Sequence, residues 1–337
     1  MPELPDITVY VERLEDLLKG KPLEKIRLAS PFLLRSVTPP LESYHGKEVT
    51  GVLRRGKRII FQFEGGTRLA LHLMVAGRLH WKPTGPAIPN PIPIPKSNGQ
   101  MAMDFPTGSL ILTESGTKKR AALLAFEDEA ALREKFPVGL EPLTSTLAAF
   151  TEVLRRENHT LKRSLTDPRL FSGIGNSYSD EILHRAGLSP IQLTSKLEAG
   201  KIKALHKAVK AVLNEWTEIL RKESEGGFPE KVTAFRKGMA VHGRYGEPCP
   251  VCGSPVQRIR YAENETNYCP ACQTGGKLLA DRALSSLLRK DWPRTLEDME
   301  KLLAKHQSAI GGPAALGGPA IAKGPGFPGG TVTGSVR

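Results

Sequence analysis

Cysteine is nearly absent from this chain. There are four in 337 residues, and all of them fall between positions 249 and 272. In a reducing compartment such a cluster points to metal ligation, not to a disulfide framework. Negative charge is also in deficit: 35 Asp and Glu stand against 48 Lys and Arg, giving a formal net charge of +13. That imbalance favours a polyanionic partner, because each phosphate neutralised by Lys or Arg releases condensed counterions. Long apolar runs are missing; none approaches the roughly 20 residues of a membrane-spanning helix. No basic amphipathic helix with an aromatic face is visible either, which disfavours a membrane surface and leaves nucleic acid. The opening Met1-Pro2-Glu3-Leu4-Pro5-Asp6 lacks the basic start and apolar core of a signal peptide. The expected location is the cytoplasm, associated with the nucleoid. Internal repeats are not seen.

What is present suits a soluble globular protein, with 39% hydrophobic and 25% charged residues and length enough for two domains with appendages. The pattern is α+β. Asp6 is positioned to cap a helix whose apolar face runs through Val9, Val11, Leu14, Leu17 and Leu18. Short β-branched runs follow at 48–53, 58–63 and 67–73, then a proline-rich loop at 82–99, then strands near 101–105, 109–113 and 121–127. Together these predict an N-terminal β-sandwich with a leading helix over 1–135. From 145 to 235 the texture is helical, with amphipathic stretches at 145–156 and 201–222 flanking Gly173-Ile174-Gly175-Asn176. A zinc ribbon is expected at 238–274 and a helical extension at 277–308, read as two short helices, where Thr295 with Asp298 resembles a capping box. The Gly/Pro-rich remainder, 309–337, is expected to be disordered.

The spacing Cys249-x2-Cys252-x16-Cys269-x2-Cys272 matches four-thiolate tetrahedral zinc. Each C-x-x-C turn places two sulfurs on one side of a tight hairpin, and the insert is long enough for a two-stranded ribbon. Four sulfurs leave no open coordination position, so one structural zinc is expected. Arg258 and Arg260 lie between the pairs and suggest that the ribbon faces DNA.

Pro2 follows the initiator Met, which is usually removed before a small residue; the proline would then carry a free secondary amine. An α-amine titrates near pH 8 against about 10.4 for lysine, so its unprotonated fraction at neutral pH is about a hundredfold larger. Attack by such an amine on a sugar C1′ yields an iminium cation without any added proton. That cation acidifies the C2′ proton, and the 3′ phosphate can leave by β-elimination. Glu3 is placed to act as the general acid that opens the deoxyribose ring.

Pro2-Glu3-Leu4-Pro5, Arg55-Gly56-Lys57-Arg58, His72-Leu73 with Gly77, Gly173-Ile174-Gly175-Asn176 with Tyr178 and Glu181, and Val241-His242-Gly243-Arg244 running into Cys249 follow in order. This set, over about residues 2–274, resembles the Fpg/Nei (formamidopyrimidine-DNA glycosylase and endonuclease VIII) family. The resemblance implies a helix–two-turn–helix at Gly-Ile-Gly-Asn. It also implies a monomer that clasps double-stranded DNA, carrying damaged bases or abasic sites, between a sandwich domain and a helical, zinc-bearing one. It assigns Pro2 as Schiff-base nucleophile, Glu3 as proton donor and Lys57 as a phosphate contact assisting β-elimination. Asn176, aided by backbone N–H groups at a helix start, would bind a flanking phosphate, and Lys162 would touch backbone. The plain alternatives are an exposed strand lysine for Lys57, a helix cap for Asn176 and a buried strand histidine for His72.

Three departures from the family pattern concern helix opening. Val75 stands where a wedge methionine is usual, with Met74 beside it; the loop 114–120 offers Lys118, Lys119 or Arg120 but no aromatic; and Asn264 replaces the ribbon arginine. The expected function is a bifunctional glycosylase and abasic-site lyase of base excision repair, acting on oxidised or ring-opened bases by β(,δ)-elimination. A catalytically weak or inactive damage-binding protein on the same fold is the alternative. A zinc-ribbon protein of RNA metabolism would leave the N-terminal constellation unexplained.

Overall fold

The computed structural model describes residues 1–85, 91–230, 232, 236–261, 264–280 and 292–310. The tail from 311 onward, expected to be disordered, lies outside the described residues.

Helix α1 (Leu4–Leu18) starts three residues earlier than an Asp6 cap would place it. Glu3 is the N-cap; Asp6 sits in the first turn and its carboxylate accepts the Glu3 N–H at 2.8 Å. Pro5 is tolerated there because first-turn N–H groups have no helical partner to lose. At three- and four-residue steps Ile7, Tyr10, Leu14 and Leu18 are fully buried, which fixes the face that α1 turns to the sandwich.

Two four-stranded antiparallel sheets form that sandwich. One has the order β2 (Val49–Arg55), β3 (Arg58–Phe63), β4 (Arg68–His72), β8 (Ala122–Phe126). The other runs β1 (Lys25–Leu28), β6 (Gly99–Phe105), β7 (Gly108–Glu114), β5 (Gly77–Pro83). Alternation directs Ile59, Phe61 and Phe63, with Leu69 and Leu71, into one core shared with Leu79, Met101, Met103, Leu110 and Leu112. Strands β1 and β5 escape the hydrophobic pattern: β1 has four residues, and β5 carries Arg78, His80 and Lys82 on alternate positions. Helix α2 (Glu129–Lys135) covers the outer face through Leu132, packed with Ile60, Ala70 and Phe126.

A second core belongs to α3 (Leu147–Arg155), α4 (Leu161–Thr166), α5 (Asn176–Arg185) and α6 (Ala199–Ser224). Thr146 and Thr160 cap α3 and α4, their side-chain oxygens accepting the N–H of Ala149 and Arg163. Leu4 is buried in this helical core, although the rest of α1 serves the sandwich, and its N–H donates to Gly173 O at 2.9 Å. The N-terminus is therefore stitched into the seam between the two cores.

The ribbon β9 (Gln257–Tyr261) and β10 (Asn264–Tyr268) leads into α7 (Pro270–Thr274). Beyond it, where two short helices are expected, the described residues show one, α8 (Leu296–Ile310); 281–291 lie outside them. Thr295 and Asp298 do form a reciprocal capping box at its start, with both bonds at 3.1 Å. No helix among the described residues is long and apolar enough to cross a membrane.

Candidate functional site

Lys57 owes its place to a two-residue hairpin. Arg55 pairs with Arg58 across β2 and β3, and Gly56 adopts φ +62° at the first loop position, a conformation that favours glycine. The loop tip thus delivers the Lys57 side chain to the seam where the chain begins. Glu3 meets it there. The Glu3 carboxylate is buried and accepts three backbone N–H groups at the start of α5: Gly175 at 2.5 Å, Ser177 at 2.8 Å and Tyr178 at 3.4 Å. An anion at a helix N-terminus is favoured by the unpaired N–H groups and the helix dipole. One residue therefore both caps α1 and takes the exposed N–H groups of α5.

Gly175 is what allows this approach. A Cβ there would lie 2.4 Å from Lys57 Nζ and 2.5 Å from Glu3 Cδ, so lysine and carboxylate converge on the space a side chain would fill. Burial lowers the Lys57 pKa, opposed by Glu3 and reinforced by Lys162. The α-amine of Met1, at the same spot, is also lowered, chiefly by burial; Glu3 and Asp6 oppose the shift, while Arg78 and Lys57 add to it.

Two open cavities meet around Met1, Lys57 and Thr166. The larger, about 610 Å³, is lined among others by Lys162, Arg163, Asn176, Ile259, Asn264 and Thr266. The smaller, about 260 Å³, includes Arg58, His72 and Gly173. Among the described residues no Asp or Glu lines either cavity. A cleft walled by cations with no carboxylates suits a polyanion. Arg163 and Arg58 were passed over in the sequence, although each is the direct neighbour of a selected lysine. His72 ends β4; burial, with Arg58 and Lys57, pushes its pKa down to about 4. The ring is neutral and its Nδ1 accepts the Met74 N–H at 3.1 Å.

Several of the residues expected to contact DNA are bonded to protein groups. Of the N–H groups at the start of α5, those of Gly175, Ser177 and Tyr178 are taken by Glu3. Asn176 Nδ2 donates to Glu265 O of the ribbon at 2.8 Å. Lys162 lines the cleft, as expected of a backbone contact, but is anchored to Asp180 Oδ1 at 2.5 Å and to Asn176 O at 2.7 Å. Lys119 folds back so that its Nζ bonds to Glu114 O, while the buried Glu114 carboxylate holds the N–H of Arg120 and Ala121. Arg258 and Arg260 line a separate cavity of about 130 Å³ with Tyr245, Leu278 and Trp292. Arg258 stacks 4.1 Å from the Tyr245 ring centroid and pairs with Glu265. Strand alternation explains this: Ile259, between the two arginines, faces the cleft. Asn264, which replaces the family's ribbon arginine, is on the cleft side. At the turn after β4, Met74 takes φ +52° and is half-buried, whereas Val75 projects into solvent. Val75, not Met74, holds the exposed position.

The four cysteine sulfurs lie within 4.8 Å of one another. Cys249–Cys272 at 3.9 Å and Cys252–Cys269 at 3.3 Å are too long for disulfides and close to the roughly 3.8 Å edge of a tetrahedron with 2.3 Å zinc–sulfur bonds. The donor set fits Zn²⁺.

Comparison with known proteins agrees with this geometry. Family models match over most of the chain: "Formamidopyrimidine-DNA glycosylase N-terminal domain" at residues 1–127, "Formamidopyrimidine-DNA glycosylase H2TH domain" at 138–224, and "Zinc finger found in FPG and IleRS" at 246–275. The chain is 32% identical to a formamidopyrimidine-DNA glycosylase of Thermus thermophilus over 294 residues, covering 82% of this chain and all of that one. An uncharacterized formamidopyrimidine-DNA glycosylase-like protein of Mycobacterium tuberculosis is 41% identical over 153 residues, 45% of this chain and 93% of its own. In structure the chain is similar to Lactococcus lactis Fpg in complex with an abasic-site DNA, with TM-score 0.70 and 26% identity over 81% of this chain and 99% of that one. Cys249, Cys252, Cys269 and Cys272 accordingly hold a structural zinc ion. From its sandwich to its ribbon, this chain belongs to the formamidopyrimidine-DNA glycosylase family of DNA-repair glycosylases.

Proposed function

We propose that this protein is a bifunctional DNA glycosylase and abasic-site lyase that uses the Pro2 amine as nucleophile on double-stranded DNA, as a monomer. The observation that carries the reading is the convergence of the N-terminus, Glu3 and Lys57 on Gly175, at the floor of a cleft lined by Lys162 and Arg163 without a carboxylate. Removal of Met1 turns the Pro2 nitrogen from a peptide nitrogen into a secondary amine. The burial and the neighbouring Arg78 and Lys57 that lower the pKa of the Met1 amine would act in the same direction on such an amine, favouring its unprotonated form.

The Pro2 nitrogen bonds to C1′ and the damaged base departs with the glycosidic pair of electrons. Glu3, held by three N–H groups, takes the proton that the Pro2 nitrogen loses on bonding and delivers it to the ring oxygen O4′ as the C1′–O4′ bond opens, leaving an iminium. Loss of a C2′ proton sends electrons toward the iminium and expels the 3′ phosphate. Lys57 is placed beside that phosphate as a positive charge. Water then hydrolyses the iminium and frees Pro2. Val75 is the exposed side chain available to occupy space vacated by an extruded nucleotide.

Borohydride added to protein and a duplex with one abasic site reduces such an iminium to a stable adduct. The expected result, with Met1 shown absent by mass spectrometry, is an adduct in wild type, none in Pro2→Gly and a weakened one in Glu3→Gln. Tight binding with no adduct would instead establish the damage-binding reading, which Asn264 in place of the ribbon arginine favours.

A further inference from the structure

Helix α5 touches the zinc module along one face. At four-residue steps, Asn176 donates to Glu265 O, Asp180 accepts from His242 Nδ1 at 2.8 Å and from Asn267 N at 3.2 Å, and His184 reaches Cys249. Glu181, beside them, accepts the N–H of Ala240, Val241 and His242 at 2.7–2.9 Å. The contacts of Asn176, Asp180 and Glu181 hold backbone or loop. The His184 contact differs in kind, since Nε2 lies 3.3 Å from the sulfur of a metal ligand.

A zinc-bound thiolate carries no proton and can only accept a hydrogen bond. Cys252 is exposed and can take that bond from water, and Cys269 Sγ is 3.5 Å from the Cys272 N–H. Cys249 is 2% exposed, so its negative sulfur is cut off from solvent. A buried charge without a donor is costly, and His184, itself 8% exposed, is the side chain at hand to supply one.

We propose that His184 is a positioning residue of the zinc site, donating its Nε2–H to the Cys249 thiolate and fastening the metal's sulfur shell to α5. Zinc then selects the tautomer: the proton sits on Nε2 because the sulfur has none. The start of the same ten-residue helix receives the Glu3 carboxylate, so the sulfur shell and the cleft floor are fixed to opposite ends of one rigid element. The inference concerns the metal site and stands whether or not the protein is a lyase.

The test uses the full chain with His184→Leu and His184→Gln, the latter retaining an N–H near the Nε2 position. Zinc release to a chromophoric chelator and the sulfur-to-cobalt charge-transfer bands of the Co²⁺-substituted protein are measured. Loss of an outer hydrogen bond to a ligand typically costs 10–100-fold in metal affinity. Leu should therefore release zinc on the order of tenfold or more faster and shift the bands to lower energy, with Gln restoring both toward wild type. A Leu protein with unshifted bands and release within about twofold of wild type would overturn the proposal, as would a Gln protein indistinguishable from Leu. Should the Leu chain fail to fold, Gln decides: wild-type bands support the donor role, and shifted bands with fast release refute it.

Discussion

Gly175→Ala is the sharpest perturbation available. The new methyl would meet Lys57 Nζ at 2.4 Å, Glu3 Cδ at 2.5 Å and Glu3 Oε1 at 2.6 Å, whereas ordinary Cβ contacts begin near 3.4 Å. The atoms must separate by roughly 1 Å. Lys57 can swing away, since only its chain end is involved. Glu3 cannot move without stretching the bonds from Gly175, Ser177 and Tyr178. Gly175 itself has φ −133°, open to any residue, so backbone strain adds nothing. A hydrogen bond to a charged group contributes about 1.5–3 kcal/mol, which sets the stability loss at about 2 kcal/mol if one bond is given up. Displacement of a reacting group by about 1 Å typically costs on the order of a hundredfold in rate. Single-turnover borohydride trapping on abasic duplex should therefore slow about a hundredfold, with Kd for the same duplex within about threefold of wild type. Trapping within about threefold of wild type, in a folded protein, would refute the idea that Glu3 placement controls the chemistry.

The cleft assignment predicts that Arg163→Ala weakens binding to any duplex and reduces the slope of log K against log salt by about 0.9, one phosphate contact. The double variant Arg258→Ala, Arg260→Ala should leave that slope unchanged, because both side chains line another cavity; a slope reduced by both sets would mean that DNA reaches the back of the ribbon. Zinc removal by chelation should unfold the module, since four-thiolate binding contributes roughly 10–16 kcal/mol in small zinc domains, and release should be visible as rapid proteolysis within 246–275. His72 gives a pH signature. Its folded pKa of about 4 lies below the unfolded value near 6.5, so between these values the unfolded chain binds the extra proton. Stability is thus full above pH 6.5 and is lost as pH falls toward 4, by about 3 kcal/mol for this group. His72→Gln should remove that share of the acid loss in denaturant titrations at pH 7 and pH 4; an unaltered difference would show that the ring protonates freely.

Much of the protein is legible in its residues because the signals are local. The cysteine spacing states tetrahedral ligation, and the short apolar runs at 58–63 and 101–105 state buried strands. Pro2 and Glu3 are marked by the chemistry of an amine beside a carboxyl group. Lys57 and Lys162 are legible only through the family resemblance, as matches in Arg55-Gly56-Lys57-Arg58 and Thr160-Leu161-Lys162. Short or charge-bearing elements such as β1, β5 and α4 are less visible, since their burial comes from neighbours far along the chain.

What the amino-acid order determined alone is therefore the inventory: a zinc knuckle, a β-sandwich, a helical domain and a proline–glutamate pair at the N-terminus. Only the tertiary structure decided how that inventory is spent. It gave the N–H groups of α5 to Glu3, turned Lys119 onto Glu114, and set Arg258 and Arg260 behind the ribbon while Asn264 faces the cleft. Each outcome depends on which of two faces a strand presents, or on which of several partners a donor can reach. The Glu3 choice is settled by a contact between segments more than a hundred residues apart, Glu3 with Gly175, whereas Lys119 reaches Glu114 only five residues away.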